Sequence, residues 1–383
     1  MNQKELELYI HIPFCVKKCS YCDFLSAPAT EQTKEAYMAA LFAEIGGRAK
    51  DYKDRIVTSV FIGGGTPSLL SADTIRQLME HIREGFSLAS DVEITMEVNP
   101  GTVTAEKLTA FYGAGINRLS IGMQSAQEQE LKILGRIHDF DSFCQVYREA
   151  VEAGFTNINV DVMSGLPGQT LTSYKDTLEK VLRLEPMPQH ISAYSLIVEE
   201  GTPFAAMADR GELPLPEEDT ERAMYEETIE VLAGYGFHRY EISNYALDGY
   251  ECRHNVGYWI RRDYLGFGIG AASLIGNVRF QNGRYLNAYL AHPFACREEE
   301  QSLTTQEQME ETMFLGLRLI RGVSYTEFAR CYGQTLEEVY GEVIARNVAD
   351  GLLTVREDET GRRLALTGWG LDVSNYVMAQ FLF

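Results

Sequence analysis

His11-Ile12-Pro13-Phe14-Cys15-Val16-Lys17-Lys18-Cys19-Ser20-Tyr21-Cys22-Asp23-Phe24 is the stretch on which the reading of the whole chain turns. It follows an aliphatic run, Leu6 to Ile12, that predicts a β-strand, so its three cysteines lie on the loop leaving that strand. Their spacing is C-x3-C-x2-C. A loop this short can aim three thiolates at three corners of one 4Fe-4S cube and leave the fourth iron without a protein ligand. Zinc is the competing reading, but zinc sites pair one C-x2-C unit with a second pair of Cys or His. His11 precedes the loop and no second C-x-x-C unit follows anywhere in the chain.

Outward from that loop, residues 1–200 alternate β-branched runs with amphipathic stretches, the pattern of repeated βα units and a parallel sheet. Strands are predicted at Leu6 to Ile12, Val57 to Ile62, Glu93 to Val98, Arg118 to Met123, Asn157 to Met163 and His190 to Ile197. Between them, Lys34 to Ala49, Ala72 to Glu84, Ala105 to Tyr112, Asp141 to Ala153 and Ser173 to Leu184 carry apolar residues at helical spacing. The strands run out into GGGTP (63–67), EVNPG (97–101), Gln124-Ser125 and DVMSGLPG (161–168). Ligands of parallel α/β folds bind at strand carboxyl ends, so these clusters are expected to converge. Consecutive glycines at 63–65 are expected to let a ligand approach bare backbone.

Residues 201–303 break the rhythm. A helix from about Glu217 to Tyr235 gives way to FHRYEISNYALDGYECRHNVGYWIRRDYLGFGIGAAS, whose Tyr, Phe and Gly content suggests a binding surface packed on the barrel. Residues 304–383 read as a separate unit: helices at Glu307 to Arg318, Ser324 to Tyr332 and Leu336 to Asp350, then a hairpin turning near Thr360 and Gly361. That order suggests a winged-helix-like α+β domain.

Composition limits what such a domain could do. The chain has 383 residues, 34 Lys and Arg against 55 Asp and Glu, and a net charge of −21. A field of that sign repels nucleic acid, so the C-terminal unit is expected to dock protein rather than bind DNA. No apolar run approaches the roughly 20 residues that cross a bilayer. The start, MNQKELELYIHIP, lacks the regions of a signal peptide, and the expectation is a cytoplasmic protein, not an integral membrane one. Outside the loop, Cys144, Cys252, Cys296 and Cys331 are scattered and read as small buried apolar residues. Cys252 is set apart only by standing two residues before His254.

The cysteine loop, with an aromatic residue just before its last cysteine, resembles that of the radical S-adenosylmethionine (SAM) superfamily. HIPFC-x-x-K-C-x-Y-C-D-F, GGGTP, E-x-N-P, SIGMQS with a following LGR, and D-x-M-x-GLPGQ occur here in one order and cover the barrel region. Together they resemble the branch that contains oxygen-independent coproporphyrinogen III oxidase and a related group of heme chaperones, and the likeness continues through the C-terminal unit. The resemblance implies a partial (β/α)6 radical SAM barrel followed by a smaller winged-helix-like domain. It implies a 4Fe-4S cluster on Cys15, Cys19 and Cys22, with SAM closing the open iron. It also implies SAM contacts at Tyr9, Tyr21, Gly64, Gly65, Thr66, Glu97, Gln124, Arg136 and Asp161.

Two functions stay open at this point. His254-Asn255-Val256-Gly257-Tyr258-Trp259 fits the H-N-x-x-Y-W motif of the chaperone group, in which His254 would ligate heme iron and Tyr258 and Trp259 would flank the macrocycle. Cys252 is a possible second ligand. The expected activity is then delivery of heme to an acceptor protein such as a respiratory cytochrome, by way of a partner and an electron donor the sequence does not identify. The alternative is radical SAM decarboxylation of coproporphyrinogen III to protoporphyrinogen IX. The oxidase loop continues C-x-x-C-x-C, whereas Asp23 and Phe24 follow Cys22 here, and the oxidase has a longer segment ahead of the loop than the fourteen residues before Cys15. Both departures weigh against decarboxylation, and the resemblance leaves open whether SAM is turned over.

Overall fold

A computed structural model describes residues 4–294, 297–358 and 361–382. Its frame is six parallel strands in sequence order: β1 (Lys4–Ile12), β2 (Arg55–Gly64), β3 (Ser87–Val98), β4 (Arg118–Gln124), β5 (Ile158–Ser164) and β6 (His190–Ser195). Each neighbouring pair is joined through helix, as parallel strands require. The connecting helices begin where short polar side chains satisfy free backbone N–H groups: Thr30, Ser71, Thr104, Asp139 and Thr170 each accept from the residue three positions on.

Alternation along the strands separates two environments. Leu8, Ile10, Val60, Ile62, Met96, Val98, Leu119, Ile121, Val160 and Val162 are buried against the helices, which return Leu78, Ile82, Leu108, Phe111, Phe143 and Tyr147. The intervening positions point to the concave side and are largely polar: Glu97, Arg118, Ser120, Asn159, Asp161 and Ser192 all line one interior cavity. A barrel with this interior is built to hold a ligand, because an apolar core would fill it.

Strands of residues 201–303 continue the barrel's sheet at both edges. β8 (Asn244–Ala246) adds antiparallel to β6, and β7 (His238–Arg239) antiparallel to β8. At the other edge β9 (Tyr264–Phe267) pairs parallel to β1, with Glu7 opposite Tyr264 and Ile10 opposite Phe267. β10 (Ala272–Ile275), β11 (Val278–Asn282) and β12 (Arg297–Ser302) follow antiparallel, giving twelve strands in one sheet among the described residues. The sequence hid these strands because they are short, two to six residues, and interrupted by glycines.

The C-terminal unit has its own core, in which Met313, Leu317, Phe328, Leu336, Tyr340, Leu364 and Phe381 pack together. Its helices Thr305–Gly316, Tyr325–Tyr332 and Leu336–Ala349 accompany a three-stranded antiparallel sheet of β13 (Val323–Ser324), which follows the first helix, and of β14 (Leu353–Asp358) and β15 (Gly361–Leu366), which follow the third. Asp358 stands opposite Gly361 in the hairpin; Thr360 lies outside the described residues, as does Cys296.

Candidate functional site

The cysteine loop leaves β1 and is tied down by backbone bonds from Cys15 N–H to Ala27 O (3.2 Å), Ala27 N–H to Pro13 O (3.0 Å) and Ser20 N–H to Leu134 O (3.0 Å). The glycine turn after β2 passes directly beneath it, with Gly65 N–H donating to Ile12 O (2.8 Å) and Thr66 N–H to Phe14 O (2.7 Å). A Cβ on Gly65 would lie 2.6 Å from Phe14 O, and one on Gly64, at φ +109°, would lie 2.4 Å from the His11 ring. These glycines therefore let the chain approach the cysteine loop as much as they bare backbone to a ligand.

Cys15, Cys19 and Cys22 are all partly exposed and open onto a cavity of about 500 Å³ at the carboxyl ends of the strands. Burial pushes the Cys22 thiol up, and nearby Cys19 and Cys15 push it further. Among the described residues no three His, Cys, Asp or Glu side chains are disposed around a single metal ion. The loop suits a group broad enough to be met at three corners. Arg136 lies behind it, with Nη1 3.8 Å from Cys19 Sγ and Nη2 donating to Asn99 Oδ1 at 3.2 Å and to Gly122 O. Its Nε is buried without a partner, a donor awaiting an acceptor in the cavity. Three thiols and an orphaned guanidinium N–H fit an iron–sulfur cluster closed by a ligand that carries a carboxylate.

The same cavity brings together Tyr21, Gly64, Gly65, Thr66, Glu97, Gln124, Arg136 and Asp161. Tyr9 stands behind that wall, its hydroxyl 3.0 Å from His11 Nδ1 and its ring 6.4 Å from Phe61, which does line the cavity. Burial raises the Glu97 carboxyl to about 7, with Asp161 adding and the Gly64 N–H opposing. Burial also raises Asp161, against bonds from Asn159 and Ser192. Two strained carboxyls facing one space would be relieved by a cationic ligand. Gln124 holds φ +71° at a bulge, unusual for a residue other than glycine, and accepts from Tyr194 OH at 2.9 Å. Sequence reasoning missed Arg118, Asn159, Ser192 and Asn244 in this cavity. Their signal was polar residues at every second strand position, easily taken for a solvent-exposed face.

The helix Arg253–Trp259 closes the barrel from behind. Glu93 holds its start, accepting from the N–H groups of Arg253 (3.1 Å) and His254 (3.2 Å). Asn255 reaches the cavity itself. His254 is 1% exposed and stacks on Phe61, with ring centroids 5.2 Å apart. Its Nδ1 lies 2.8 Å from Ser59 Oγ and its Nε2 3.0 Å from Tyr258 OH. Burial lowers its pKa to about 3, with Arg118 and Arg262 adding, so the ring is neutral. Tyr258 packs edge-on to His254 and to Tyr264, and Trp259 lies under the guanidinium of Arg318 at 4.4 Å. In this conformation the buried His254 ring presents no open face to a macrocycle. Cys252 is buried with its thiol pushed up to about 12, mainly by burial, and its sulfur lies 3.6 Å from Glu93.

A parallel barrel with a three-cysteine loop at its mouth defines a radical SAM protein. The Radical SAM superfamily model matches residues 9–181, and the HemN C-terminal domain model matches residues 303–371. The superfamily implies a 4Fe-4S cluster and SAM. Full-length likeness then fixes the branch: the chain belongs to the HemW family of heme chaperones. It is 37% identical to the heme chaperone HemW of Lactococcus lactis over 383 residues, all of this chain and 98% of the relative. With the heme chaperone HemW of Bacillus subtilis it shares 38% over 379 residues, 98% of each. Among solved structures, coproporphyrinogen III oxidase (HemN) from Escherichia coli, described as a radical SAM enzyme, superposes with a TM-score of 0.85 at 26% identity. The match covers 99% of this chain and 90% of that one.

Proposed function

We propose that this chain binds heme and hands it to an acceptor protein, with His254 as an axial ligand. The observation that carries the reading is a neutral, buried imidazole stacked on Phe61, the residue that forms the wall of the cluster cavity. Neutral imidazole is the form that ligates iron. Relatives that carry the heme chaperone name match this chain along nearly its whole length. When bound, the cluster and SAM supply one-electron cleavage of a sulfonium. The chain's own part is to hold them with Cys15, Cys19 and Cys22 and with the carboxyls and guanidinium around them. Because Ser59 and Tyr258 take both ring nitrogens, ligation requires His254 to exchange one of these bonds for iron.

Anaerobically reconstituted protein titrated with heme tests this. The expected result is the spectrum of a histidine-ligated heme, lost in His254→Ala with at least a tenfold weaker affinity. An unchanged spectrum and affinity would remove His254 as the ligand. The likeness to the E. coli oxidase favours a second reading, decarboxylation of coproporphyrinogen III. Product formed from coproporphyrinogen by the same sample, with SAM and a low-potential reductant, would establish it.

A further inference from the structure

Outside the barrel, a second space lies between residues 238–262 and the C-terminal unit. It is a cavity of about 770 Å³, within the usual size of a small-ligand site. Five guanidiniums line it, those of Arg239, Arg253, Arg262, Arg321 and Arg356, against the carboxylates of Glu251 and Glu357. In a chain of net charge −21 this is a local reversal of sign. Like charges gathered in one recess repel, and the arrangement is favourable once an anion enters.

The bonds that Arg356, Arg239 and Arg253 make leave charge to spare. Arg356 donates to Ile320 O at 3.2 Å, and Arg239 donates to the carbonyls of Glu241 and Ile242 and to Tyr225 OH. All of these acceptors are neutral. Arg253 pairs with Asp91 at 2.9 Å, but both side chains are half or more exposed, so water screens the pair. Arg262 pairs with Glu5 at 2.9 Å and reaches Glu7 at 3.3 Å, so its charge is already engaged. The remaining wall is apolar, from Val256, Leu319 and Ile320. Val256 follows His254 by two residues, about 200° round the helix, so this cavity adjoins the face of the Arg253–Trp259 helix opposite His254.

We infer that this cavity binds a porphyrin by its carboxylates, as an anion-receiving site on the outer side of the helix that carries His254. An apolar wall with several guanidiniums at one recess matches a flat apolar body bearing carboxylates, and guanidinium forks pair with carboxylates in bidentate fashion. The choice of a porphyrin over other apolar carboxylates rests on the heme reading above.

Metal-free protoporphyrin IX and its dimethyl ester, titrated by fluorescence into the full reconstituted chain, separate carboxylate recognition from iron ligation. The free acid is expected to bind at least tenfold more tightly than the ester. Arg253→Gln combined with Arg356→Gln should weaken the free acid by about a hundredfold and leave the ester unchanged, since each lost charge-assisted bond is worth about tenfold in affinity. Arg76→Gln, an exposed arginine far along the chain, should change neither. Equal binding of acid and ester, or a double variant that binds the acid like the parent, overturns the inference. Coproporphyrin III separates a tetracarboxylate from a dicarboxylate ligand, and arginine-dependent binding of either supports the site. If heme depends on His254 while neither probe depends on the arginines, this inference falls and heme ligation stands. If the probes follow the arginines while His254→Ala leaves heme untouched, the reverse holds.

Discussion

Glu7 shows how far burial can override an ion pair. Its carboxyl lies 3.3 Å from Arg262 and is wholly enclosed, with Oε2 lacking a hydrogen-bond partner and 4.0 Å from Nδ1 of the neutral His254 ring. Burial raises its pKa to about 8 against the pull of Arg262, so the group is mainly protonated at neutral pH and the contact is not a full salt bridge. The unfolded carboxyl releases its proton near 4.5, whereas the folded one keeps it until about 8. Between those values the native state binds more protons, so this group's contribution to stability falls as pH rises through that window and is full below it. Glu7→Gln keeps the shape and removes the titration. The urea midpoint of Glu7→Gln relative to the parent is expected to rise between pH 5 and pH 8; a constant difference would show that Glu7 is ionised in the fold. His254 acts in the opposite sense, losing stability as pH falls below 6.5, because burial holds its folded pKa near 3.

At the scale of the element, the Arg253–Trp259 helix is held against β1 by the absence of one side chain. A Cβ on Gly257 would fall 1.8 Å from Glu7 Oε1. Helix propensity alone favours alanine over glycine by about 1 kcal/mol. Overpacking costs about 1–3 kcal/mol and should win here. Gly257→Ala is therefore expected to destabilise the chain and to unseat the helix that carries His254. A double-mutant cycle with Glu7→Ala checks the cause: the alanine penalty should shrink once the carboxylate is gone. A stabilising Gly257→Ala would show that the helix is not seated on Glu7.

Across the whole molecule, the C-terminal unit is fastened to the sheet through Glu311. This nearly buried carboxylate takes Arg261, from the turn after the Arg253–Trp259 helix, at 2.9 Å and Arg279, from β11, at 2.6 Å. Beside it, Arg318 covers Trp259, and Ile320 N–H donates to Tyr240 O at 3.0 Å. Glu311→Ala strands the buried Arg261 charge and is expected to cost about 3 kcal/mol. Urea unfolding followed by tryptophan fluorescence reads this, because Trp259 lies at the junction. A loss within about 0.5 kcal/mol would mean that the apolar contacts alone hold the two parts together.

The chain by itself determined the frame and the mouth of the site. Period-two strands, capped amphipathic helices and the C-x3-C-x2-C loop are local patterns, and local patterns survive without tertiary context. Residues named from motifs, from Tyr21 to Asp161, converge on one cavity because parallel βα units bring all carboxyl ends to the same side. What lay between distant segments was not legible. The pairing of β9 with β1 joins residues over 250 positions apart. The arginines of the outer cavity come from three separate stretches and carry no spacing that could announce them. The cysteine loop could be read from covalent order alone, since its ligands are neighbours in the chain. Whether His254 lies open or closed depends on Ser59, Phe61, Glu93 and Tyr258, which only the folded sheet brings around it.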